Sequence, residues 1–455
     1  MKLNPQIFRE YDIRGIAGTD VTEEIYERLG QAIVAYMRGK RKHNCLVVAH
    51  DGRLTSRAYA HAVMDGITGA GVNVIDIGQV PTPLCYFGLF TLPVDGGVMI
   101  TASHNPKEYN GMKVAVGTAT IHGEEIQKLY RVALRESFPK ARRPVTIARM
   151  DLLPKYFARV LRGITVKRKL KVVIDAGNGV SGPVGAPLYE QMGCEVIPLY
   201  CDVDGRFPNH HPDPTVPKNL TRLIATVKRT KADCGIGFDG DGDRIGVVNE
   251  KGEVIFGDKL LILFARDILK HKPGATIISE VKGSRTLYAD IEAHGGKAIM
   301  WRTGHSLIKA AMKKFHAQLA GEMSGHMFFK HRWYGFDDAV YAGARLLEIL
   351  GNTKKPLSVL LGDVPKTYVT EEIRIATEES KKFDIVRKAT RYFKDDLGLK
   401  VITIDGARIE FEDGWGLLRA SNTSPVLVMR CEADSPKRLK EIKHLIERKV
   451  NELNK

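Results

Sequence analysis

The feature that most constrains this chain is a recurring run of buried-type strand residues that ends in Gly and Asp. LVVAHDGR (46–53), KVVIDAGNG (171–179) and GIGFDGDGD (235–243) share this outline. Helical patterns alternate with such strands along the first part of the chain, which predicts mainly parallel sheets covered on both faces. At 455 residues the chain is too long for a single core. We therefore expect several similar α/β units.

The order of the predicted elements changes in the last quarter of the chain. The strand–helix pattern restarts near residue 169 and again near residue 252, and GNTKKPLSVLLGDVPK (351–366) is typical of a boundary. A helical pattern over 378–393 is then followed by several short strands and a closing amphipathic helix, which is typical of an α+β unit. The predicted domains are three similar mixed-sheet α/β domains over 1–150, 151–252 and 253–365, and an α+β domain over 366–455.

A helix is predicted near the amino terminus. In DVTEEIYERLGQAIVAYM (20–37), Ile25, Leu29 and Ile33 fall on one helical face. Asp20, with Glu23 three residues later, predicts the helix start.

The composition indicates a folded protein of the cell interior. A hydrophobic content of 44% and a charged content of 27% are ordinary for globular chains. No stretch approaches the ~20 apolar residues of a membrane helix, and the start MKLNPQIFREYDIRG lacks the apolar core of a signal peptide. We expect a cytoplasmic protein with no membrane partner. Six cysteines are scattered without a CxxC pair, so neither a zinc site nor a disulfide framework is indicated.

The net positive charge of the chain favours anionic ligands but does not indicate which class of anion binds. Lys and Arg number 69 against 53 Asp and Glu, for a formal net charge of +16. This charge alone leaves a non-enzymatic anion-binding or nucleic-acid-binding protein as a rival interpretation. The basic residues are spread along the chain, however, and no nucleic-acid-binding motif occurs. We expect no nucleic-acid partner.

CGIGFDGDGDRIGVVNE (234–250) carries the clearest metal signal. Asp239, Asp241 and Asp243 alternate with glycines, and three carboxylates suit a hard cation, Mg²⁺ above all. An EF-hand does not fit, because Arg244 takes the place where the sharp turn of that loop needs Gly. The fixed charge of Arg244 could orient a phosphate group beside the metal.

TASHNPKEYNGMKV (101–114) places Ser103 and His104 in a turn after a strand, with Lys113 ten residues after the serine. A phosphorylated Ser103 could supply the next ligand of the ion, which would polarise the phosphoryl group for transfer. Lys113 could act as general acid or base toward a sugar hydroxyl, with its pKa lowered by neighbouring positive charge.

Two later loops have groups that suit a sugar phosphate. In GEMSGHMFF (321–329), Glu322 and Ser324 could bind a pair of sugar hydroxyls, with His326 as a further contact. In RASNTSP (419–425), guanidinium, hydroxyl and backbone donors suit a phosphate dianion; the side chains are those of Arg419, Ser421, Asn422 and Thr423. No Gly-x-x-x-x-Gly-Lys motif occurs, so nucleotide binding of that type is not supported.

Taken in order, TASHNP, DGDGDR, GEMSGH and RASNTSP resemble the four loops of the α-D-phosphohexomutase family, over essentially the whole chain. The resemblance is strongest to its bacterial and archaeal phosphomannomutase/phosphoglucomutase branch. It implies four domains around a central active-site cleft, each contributing one loop. It also implies roles for individual residues: Ser103 as the phosphoserine with His104 beside it, Asp239, Asp241 and Asp243 as Mg²⁺ ligands, Glu322, Ser324 and His326 as the sugar-reading loop, Arg419, Ser421, Asn422 and Thr423 as a phosphate clamp, and Tyr11, Arg14, Lys113, Lys282 and His305 as further active-site residues.

The expected activity is the reversible conversion of hexose 1-phosphate and hexose 6-phosphate, of mannose, glucose or both. The resemblance implies one Mg²⁺ per site and a hexose 1,6-bisphosphate as intermediate and activator, in a monomer or weak homo-oligomer. Two alternatives stay open at this point. A phosphoglucosamine mutase would usually carry a Gln in the sugar loop and RPSGT in the phosphate loop, and a metal-dependent sugar phosphatase would use a similar ion and nucleophile.

Overall fold

The computed structural model describes residues 3–138, 140–141, 143–421 and 426–454. Asn422 and Thr423, two residues of the expected phosphate clamp, lie outside the described residues.

The first sheet is built mainly from the first 150 residues. Its strands are β1 (Ile13–Ile16), β2 (Cys45–His50), β3 (Asn73–Gln79), β4 (Gly96–Ile100), β5 (Tyr109–Val116), β6 (Ala119–Thr120) and β7 (Ile147–Arg149). The helices of this region are α1 (Glu23–Tyr36), α2 (Ser56–Gly69), α3 (Thr82–Thr91) and α4 (Glu124–Ala133), with a 3₁₀ turn over Pro5–Ile7. The strand order is β1-β5-β4-β2-β3-β7, with β6 beside β5. Strands β2, β3, β4 and β7 are parallel, whereas β5 runs antiparallel to β4 and β1.

The second sheet has the order β12-β11-β10-β8-β9. Its strands are β8 (Lys171–Asp175), β9 (Glu195–Leu199), β10 (Cys234–Phe238), β11 (Ile245–Asn249) and β12 (Val254–Ile255). Its helices are α5 (Leu153–Gly163), α6 (Gly182–Gln191) and α7 (Thr221–Thr230), with a 3₁₀ turn over Pro217–Leu220.

The third sheet has the order β14-β13-β15-β16. Its strands are β13 (Thr276–Glu280), β14 (Lys297–Trp301), β15 (Leu319–Gly321) and β16 (Met327–Phe329). The helices of this segment are α8 (Gly257–His271), α9 (Arg285–Ala293), α10 (His305–Lys314), α11 (Ala339–Gly351) and the short α12 (Leu357–Leu360).

The three sheets share one topology. In each, the first of four consecutive strands pairs in parallel with the second and the third, and the fourth returns antiparallel to the third. In the first sheet these four strands are β2 to β5. The prediction of three similar mixed-sheet α/β domains is thereby confirmed. One detail of the sequence comparison is wrong: GIGFD is the third strand of the second sheet, because a Gly/Asp turn follows first and third strands alike.

The fourth domain is an antiparallel sheet with helices packed on it, as predicted. Its strands are β17 (Tyr368–Val369), β18 (Ile373–Ala376), β19 (Lys400–Ile402), β20 (Ala407–Phe411), β21 (Gly414–Ala420) and β22 (Val426–Ala433), and its helices are α13 (Lys382–Arg391), a π-helical turn (Tyr392–Asp396) and α14 (Pro436–Leu453). The sheet has the order β17-β22-β21-β20-β19, with β18 also beside β22. It docks on the third domain through buried Val281, Trp415 and Leu417. Buried Arg408 of β20 donates to the carbonyls of Val281 and Gly283, at 2.6 and 2.8 Å.

An aromatic cluster joins the first three domains. The Trp333 ring stacks on Tyr341 of α11 at a centroid distance of 4.2 Å and on Phe87 of α3 at 6.0 Å. Tyr156 of α5 meets the same indole edge-on at 5.7 Å. These rings belong to one hydrophobic core that includes residues of all three sheets. Buried aromatic pairs of this kind fix the relative positions of the elements that carry them.

Helix α1 begins later than the sequence predicted. The cap is Thr22, whose hydroxyl accepts from the Ile25 N–H, instead of Asp20. Asp20 accepts from the Ile16 N–H at 3.0 Å and from the Asn4 side chain at 3.2 Å. The aspartate therefore closes the turn before the helix. None of the helices in the described part of the chain combines the length and the apolar character needed to cross a membrane.

Asp338 gives the fold a testable pH dependence. Its side chain caps α11 at the Tyr341 N–H (2.8 Å) and accepts the Tyr156 hydroxyl (3.0 Å), and burial raises its pKa to about 7. In the unfolded chain an Asp has a pKa of about 4. Between these values the unfolded chain releases a proton that the folded protein keeps, so the stability contributed by this group is present at low pH and is lost as pH rises from about 4 to 7.

We therefore expect Asp338→Asn, which keeps an oxygen for both contacts and cannot ionise, to become more stable relative to the natural protein as pH rises through this window. The gain levels off above pH 7 and has an upper bound of roughly 4 kcal/mol, since one pKa unit is about 1.4 kcal/mol. Thermal unfolding of both proteins at a series of pH values measures it. A difference in Tm that does not change with pH would contradict the prediction.

Candidate active site

Three of the loops singled out in the sequence occupy equivalent places in the three α/β domains. Each connects the third of the four strands that the sheets share to the antiparallel fourth. TASHNP follows β4, DGDGD follows β10, and GEMSGH begins at the last residue of β15. The carboxyl ends of parallel strands are the usual position of ligand sites in such sheets. The loops also meet in space, because the Ile245 N–H of β11 donates to the Gly325 carbonyl of the third domain at 3.1 Å.

Ser103 lies against the acidic loop of the second domain. Its hydroxyl donates to Asp239 Oδ2 at 2.8 Å and lies 3.1 Å from His104 Nδ1. The residue is 2% exposed, and its backbone has a φ of +49°, in the left-handed region that residues with a Cβ rarely adopt. Its N–H donates to Thr101 Oγ1 at 2.8 Å. A strained backbone at a reactive hydroxyl is typical of functional sites.

Asp239, Asp241 and Asp243 are buried and form a compact group of carboxylates. Their nearest oxygens all lie within 4.8 Å of one another. Oδ1 of Asp241 has no hydrogen-bond partner among the described residues. Buried carboxylate oxygens that lack donors are suited to a hard divalent cation. The donor set therefore fits a metal ion.

Lys113 lies on β5 and points into this acidic group. Its ammonium is 2.9 Å from Asp241 Oδ2 and also pairs with Asp243 Oδ2. Burial alone would lower the pKa of Lys113, but the two carboxylates outweigh it and hold the pKa well above its usual value. The prediction from the sequence that the pKa of Lys113 is lowered is therefore wrong, because the groups nearest to the lysine are negatively charged.

Arg244 and His326 bring positive charge from the second and third domains. The backbone N–H of Arg244 donates to Asp239 Oδ1 at 3.1 Å. The side-chain Nε of Arg244 lies 3.4 Å from His326 Nε2. His326 Nε2 is 3.2 Å from Asp243 Oδ1, and Nδ1 is 3.0 Å from Glu322 Oε2. Burial opposes the charged imidazole, but these carboxylates, Asp243 foremost, raise the pKa of His326 to about 9. The imidazole of His326 is therefore protonated on both nitrogens and positively charged at neutral pH.

The sugar-reading loop predicted from GEMSGH is a tight turn. The Gly325 N–H donates to the Glu322 carbonyl at 3.0 Å, and Ser324 Oγ lies 3.0 Å from His326 Nδ1. Glu322 Oε1 accepts from the Gly304 N–H at 2.7 Å, which joins this loop to the start of α10. Glu322, Ser324 and His326 thus lie together.

Tyr11 connects the first domain to the same place. Its hydroxyl donates to the Thr303 carbonyl at 2.8 Å, and its ring meets His305 edge-on at 6.0 Å. Gly304, with a φ of +128°, permits this contact, since a Cβ there would lie 2.5 Å from the tyrosine ring. Burial and the positive charges of Lys309 and Lys113 hold the pKa of His305 well below its usual value.

One cavity of about 360 Å³ is lined by nine of the eighteen predicted site residues. The cavity-lining residues that the sequence singled out are Tyr11, Arg14, Ser103, His104, Lys113, Asp243, Arg244, His305 and His326; Arg9, Asp12, Asn105 and Arg374 complete the lining. Five of these residues are Arg or Lys and two are Asp, so the cavity favours an anion. Burial, with the charges of Arg244 and Arg14, holds the pKa of His104 well below its usual value, which keeps its imidazole neutral beside Ser103.

Arg419 and Ser421, the described residues of the predicted clamp, and Lys282 lie at the junction of the third and fourth domains, outside the lining of this cavity. Arg419, at the end of β21, pairs with Asp405 at 3.2 Å. Lys282 lies 3.5 Å from Glu280 and 3.7 Å from Glu372. The carbonyl of Ser421 accepts from Lys382 Nζ at 2.7 Å.

Several contacts at the site were missed by reasoning from the sequence. Asn105 belongs to TASHNP itself and accepts from Arg14 at 2.6 Å, so the motif could have indicated it. Arg53 follows DG at the end of β2, which neighbours β4, and that placement was its signal. Asp405 and Arg374 carry no local signal, because Asp405 meets Thr303, and Arg374 reaches the cavity, only when the fourth domain packs on the others.

Comparison with known proteins agrees with this architecture. The chain matches the four phosphoglucomutase/phosphomannomutase domains in order: alpha/beta/alpha domain I over residues 5–140, domain II over 154–252, domain III over 256–368 and the C-terminal domain over 372–449. A phosphomannomutase/phosphoglucomutase of Pseudomonas aeruginosa is 47% identical, over 97% of this chain and 94% of its own length. A phosphoglucomutase of Neisseria meningitidis is 45% identical, over 96% and 95%.

The fold has the same relatives. The crystal structure of a phosphoglucomutase/phosphomannomutase family protein from Burkholderia thailandensis superimposes with a TM-score of 0.93 at 42% identity, covering 99% of this chain and 98% of that one. The four domains and their loops define an enzyme of the phosphohexomutase class. The chain belongs to the phosphoglucomutase/phosphomannomutase family.

Gly240 tests the contact between the serine and the acidic group. A Cβ at this position would lie 2.7 Å from the Ser103 carbonyl, so Gly240→Ala must push the two loops apart. We expect mutase kcat to fall by ~10-fold or more, because misplacement by an ångström is costly in group transfer. Steady-state kinetics measure the effect. In the control Gly69→Ala, the added Cβ has no atom within 4 Å apart from those of its chain neighbours and its own helix, and activity should be kept. Equal activity of both variants would contradict the prediction.

Proposed function

We propose that this enzyme interconverts hexose 1-phosphate and hexose 6-phosphate, of glucose, mannose or both, through a phosphorylated Ser103. The observation that carries the proposal is the 2.8 Å contact of Ser103 Oγ with Asp239, at the edge of a cavity rich in arginine and lysine. Both sugars are proposed because the relatives at 47% and 45% identity are named phosphomannomutase/phosphoglucomutase and phosphoglucomutase.

Asp239, Asp241 and Asp243 are the proposed holders of one Mg²⁺, with the phosphate of Ser103 as a further ligand. When bound, the ion would withdraw charge from the phosphoryl group. Arg244, whose own charge is held close to Asp239 and Asp243, is the proposed partner of the phosphoryl oxygens that face away from these carboxylates.

Lys113 is the proposed group that exchanges a proton with the reacting sugar hydroxyl. It lies within hydrogen-bond distance of two carboxylates and lines the cavity beside Ser103. His104, which is 3.1 Å from Ser103 Oγ, is proposed to orient the serine oxygen. These groups supply the positioning and charge that phosphoryl transfer depends on.

The remaining residues are proposed to bind the sugar phosphate. Glu322, Ser324 and His326 would contact sugar hydroxyls, and Tyr11, Arg14, Lys282 and His305 would contact the sugar or its phosphates. Arg419, Ser421, Asn422 and Thr423 would hold the phosphate that is not being transferred. The pairing of Arg419 with the Asp405 carboxylate supports an anion-binding role for its guanidinium.

The reaction needs both phosphates of the intermediate to reach Ser103 in turn. Ser103 would donate its phosphoryl group to give a hexose 1,6-bisphosphate, which turns over in the cleft and returns the other phosphate to the serine. The fourth domain is proposed to hinge over the cleft and exclude water, because water would otherwise compete for the phosphoryl group. Activation by added bisphosphate, a monomeric or weakly oligomeric state, a cytoplasmic location and the domain limits at residues 150, 252 and 365 stay predictions.

A direct assay tests the activity. The enzyme is incubated with glucose 1-phosphate or mannose 1-phosphate, Mg²⁺ and a trace of the matching 1,6-bisphosphate. We expect the 6-phosphate to form without free phosphate, and chelation of the metal to stop the reaction. Free phosphate in proportion to substrate lost would favour a sugar phosphatase. A much faster reaction with glucosamine 1-phosphate would favour a phosphoglucosamine mutase.

Substitution of the proposed nucleophile separates chemistry from binding. Ser103→Ala should lower kcat on the order of 10³-fold or more, since no group remains to carry the phosphoryl. Sugar-phosphate binding, measured by calorimetry, should persist because the proposed clamp is intact. The control Ser358→Ala removes a hydroxyl of α12 that bonds Glu250 and should keep full activity. Substantial turnover by Ser103→Ala would remove the assigned nucleophile.

A further inference from the structure

We propose that Arg53 is a positioning residue for phosphoryl transfer: it fixes the backbone of the Ser103 loop from behind. The inference rests on the proposed function of Ser103. It concerns a residue of the first domain that does not line the 360 Å³ cavity and therefore acts through the loop.

Topology places Arg53 beside the serine loop. The residue follows β2, and TASHNP follows β4; the two strands are parallel neighbours, with His50 opposite Ile100. Their carboxyl ends therefore lie at one edge of the sheet. Arg53 is 3% exposed at this edge.

The guanidinium is bound almost entirely to the backbone of the serine loop. Nη2 donates to the carbonyls of Ser103 (2.7 Å) and Asn105 (2.6 Å). Nη1 donates to those of Pro106 (2.7 Å) and Tyr109 (2.9 Å). Four charge-assisted hydrogen bonds thus hold one loop from its reactive serine to the start of β5.

This arrangement answers a problem posed by the serine itself. Ser103 has a φ of +49°, a conformation that is unfavourable for a residue with a Cβ and that aims Oγ at Asp239. Such a conformation persists only where the surroundings over-determine it. The contact to the Ser103 carbonyl restrains the peptide that follows the serine, and the contacts to the next carbonyls prevent the turn from relaxing.

Arg53 is in turn held on its far side. Its Nε lies 3.2 Å from Asp51 Oδ2, while Asp51 Oδ1 accepts from the Arg53 N–H at 3.0 Å and from Ser56 Oγ at 2.5 Å. The ring of Phe207, from the second domain, lies 5.5 Å from the guanidinium carbon. The arginine is therefore fixed by both domains whose loops meet at Ser103 and Asp239.

The geometry requires an arginine. Its planar fork directs two N–H groups from each terminal nitrogen, which suits four carbonyls spread over residues 103–109. The ammonium of a lysine has three donors at one point and cannot reach all four. Arg53→Lys thus keeps the positive charge but loses the simultaneous hydrogen bonds to all four carbonyls.

The test compares Arg53→Lys with Arg345→Lys. Arg345 is the matched control: it is 0% exposed, pairs with Asp267 at 2.9 Å, donates to the His331 carbonyl at 3.3 Å and lies over the Phe329 ring, all away from the cavity. For each variant, kcat, KM for glucose 1-phosphate and Tm are measured. The ³¹P resonance of phosphorylated Ser103 is recorded as a direct report on the serine loop.

For Arg53→Lys we expect kcat to fall by roughly 10- to 100-fold with KM little changed, and the phosphoserine resonance to shift or broaden. Arg345→Lys should lower Tm to a comparable extent and leave kcat and the resonance as in the natural enzyme. Unchanged kcat in Arg53→Lys, or an equal loss of kcat in both variants, would overturn the inference.

If Arg53→Lys does not fold, Asp51→Asn carries the test, because it leaves the arginine in place and weakens its ion pair. A lower kcat at constant KM supports the inference, and an unchanged kcat overturns it. If the natural enzyme shows no mutase turnover, both the proposed function and this inference are contradicted. If the natural enzyme turns over and Arg53→Lys is fully active, only the inference is contradicted.

Discussion

Three carboxylates buried at one point are the constraint around which the first three domains are arranged. Asp239, Asp241 and Asp243 repel one another in a buried site, so their charge must be balanced by groups at close range. Each domain contributes one such group: Lys113 comes from the first, the Arg244 guanidinium from the second and His326 from the third. The same balance brings the serine loop, the acidic loop and the sugar loop together. Electrostatic compensation of the three carboxylates and assembly of the cleft are thus one event.

The repeated topology explains why these loops can meet. In all three sheets the third strand carries the principal loop at its carboxyl end, and the first strand carries a second loop beside it. The pairs are the loop of Arg53 with that of Ser103 in the first domain, and the loop of Lys282 with that of Glu322 in the third. The second loop of each pair supports or extends the first.

The sequence predicts what depends on local pattern and misses what depends on packing. The strands, the domain order and the alternating carboxylates follow from periodicity and spacing. The cap of α1 was misplaced because Asp20 and Thr22 are both good capping residues, and only the preceding turn decides between them. The pKa of Lys113 was predicted in the wrong direction because its nearest neighbours come from another domain. Asp405 was missed for a similar reason, since its contact with Thr303 joins the third and fourth domains.

The segment Thr303–Gly304 joins contacts from three domains. The Thr303 carbonyl accepts from Tyr11, its N–H donates to Asp405 at 3.0 Å, and the Gly304 N–H donates to Glu322. Asp405 in turn pairs with Arg419. Asp405 thus links Arg419 of the fourth domain to the backbone that also contacts Glu322 of the third. Because the two peptide N–H groups are adjacent, Asp405 of the fourth domain and Glu322 of the third share one piece of backbone. This shared backbone gives the third and fourth domains a physical route to energetic coupling.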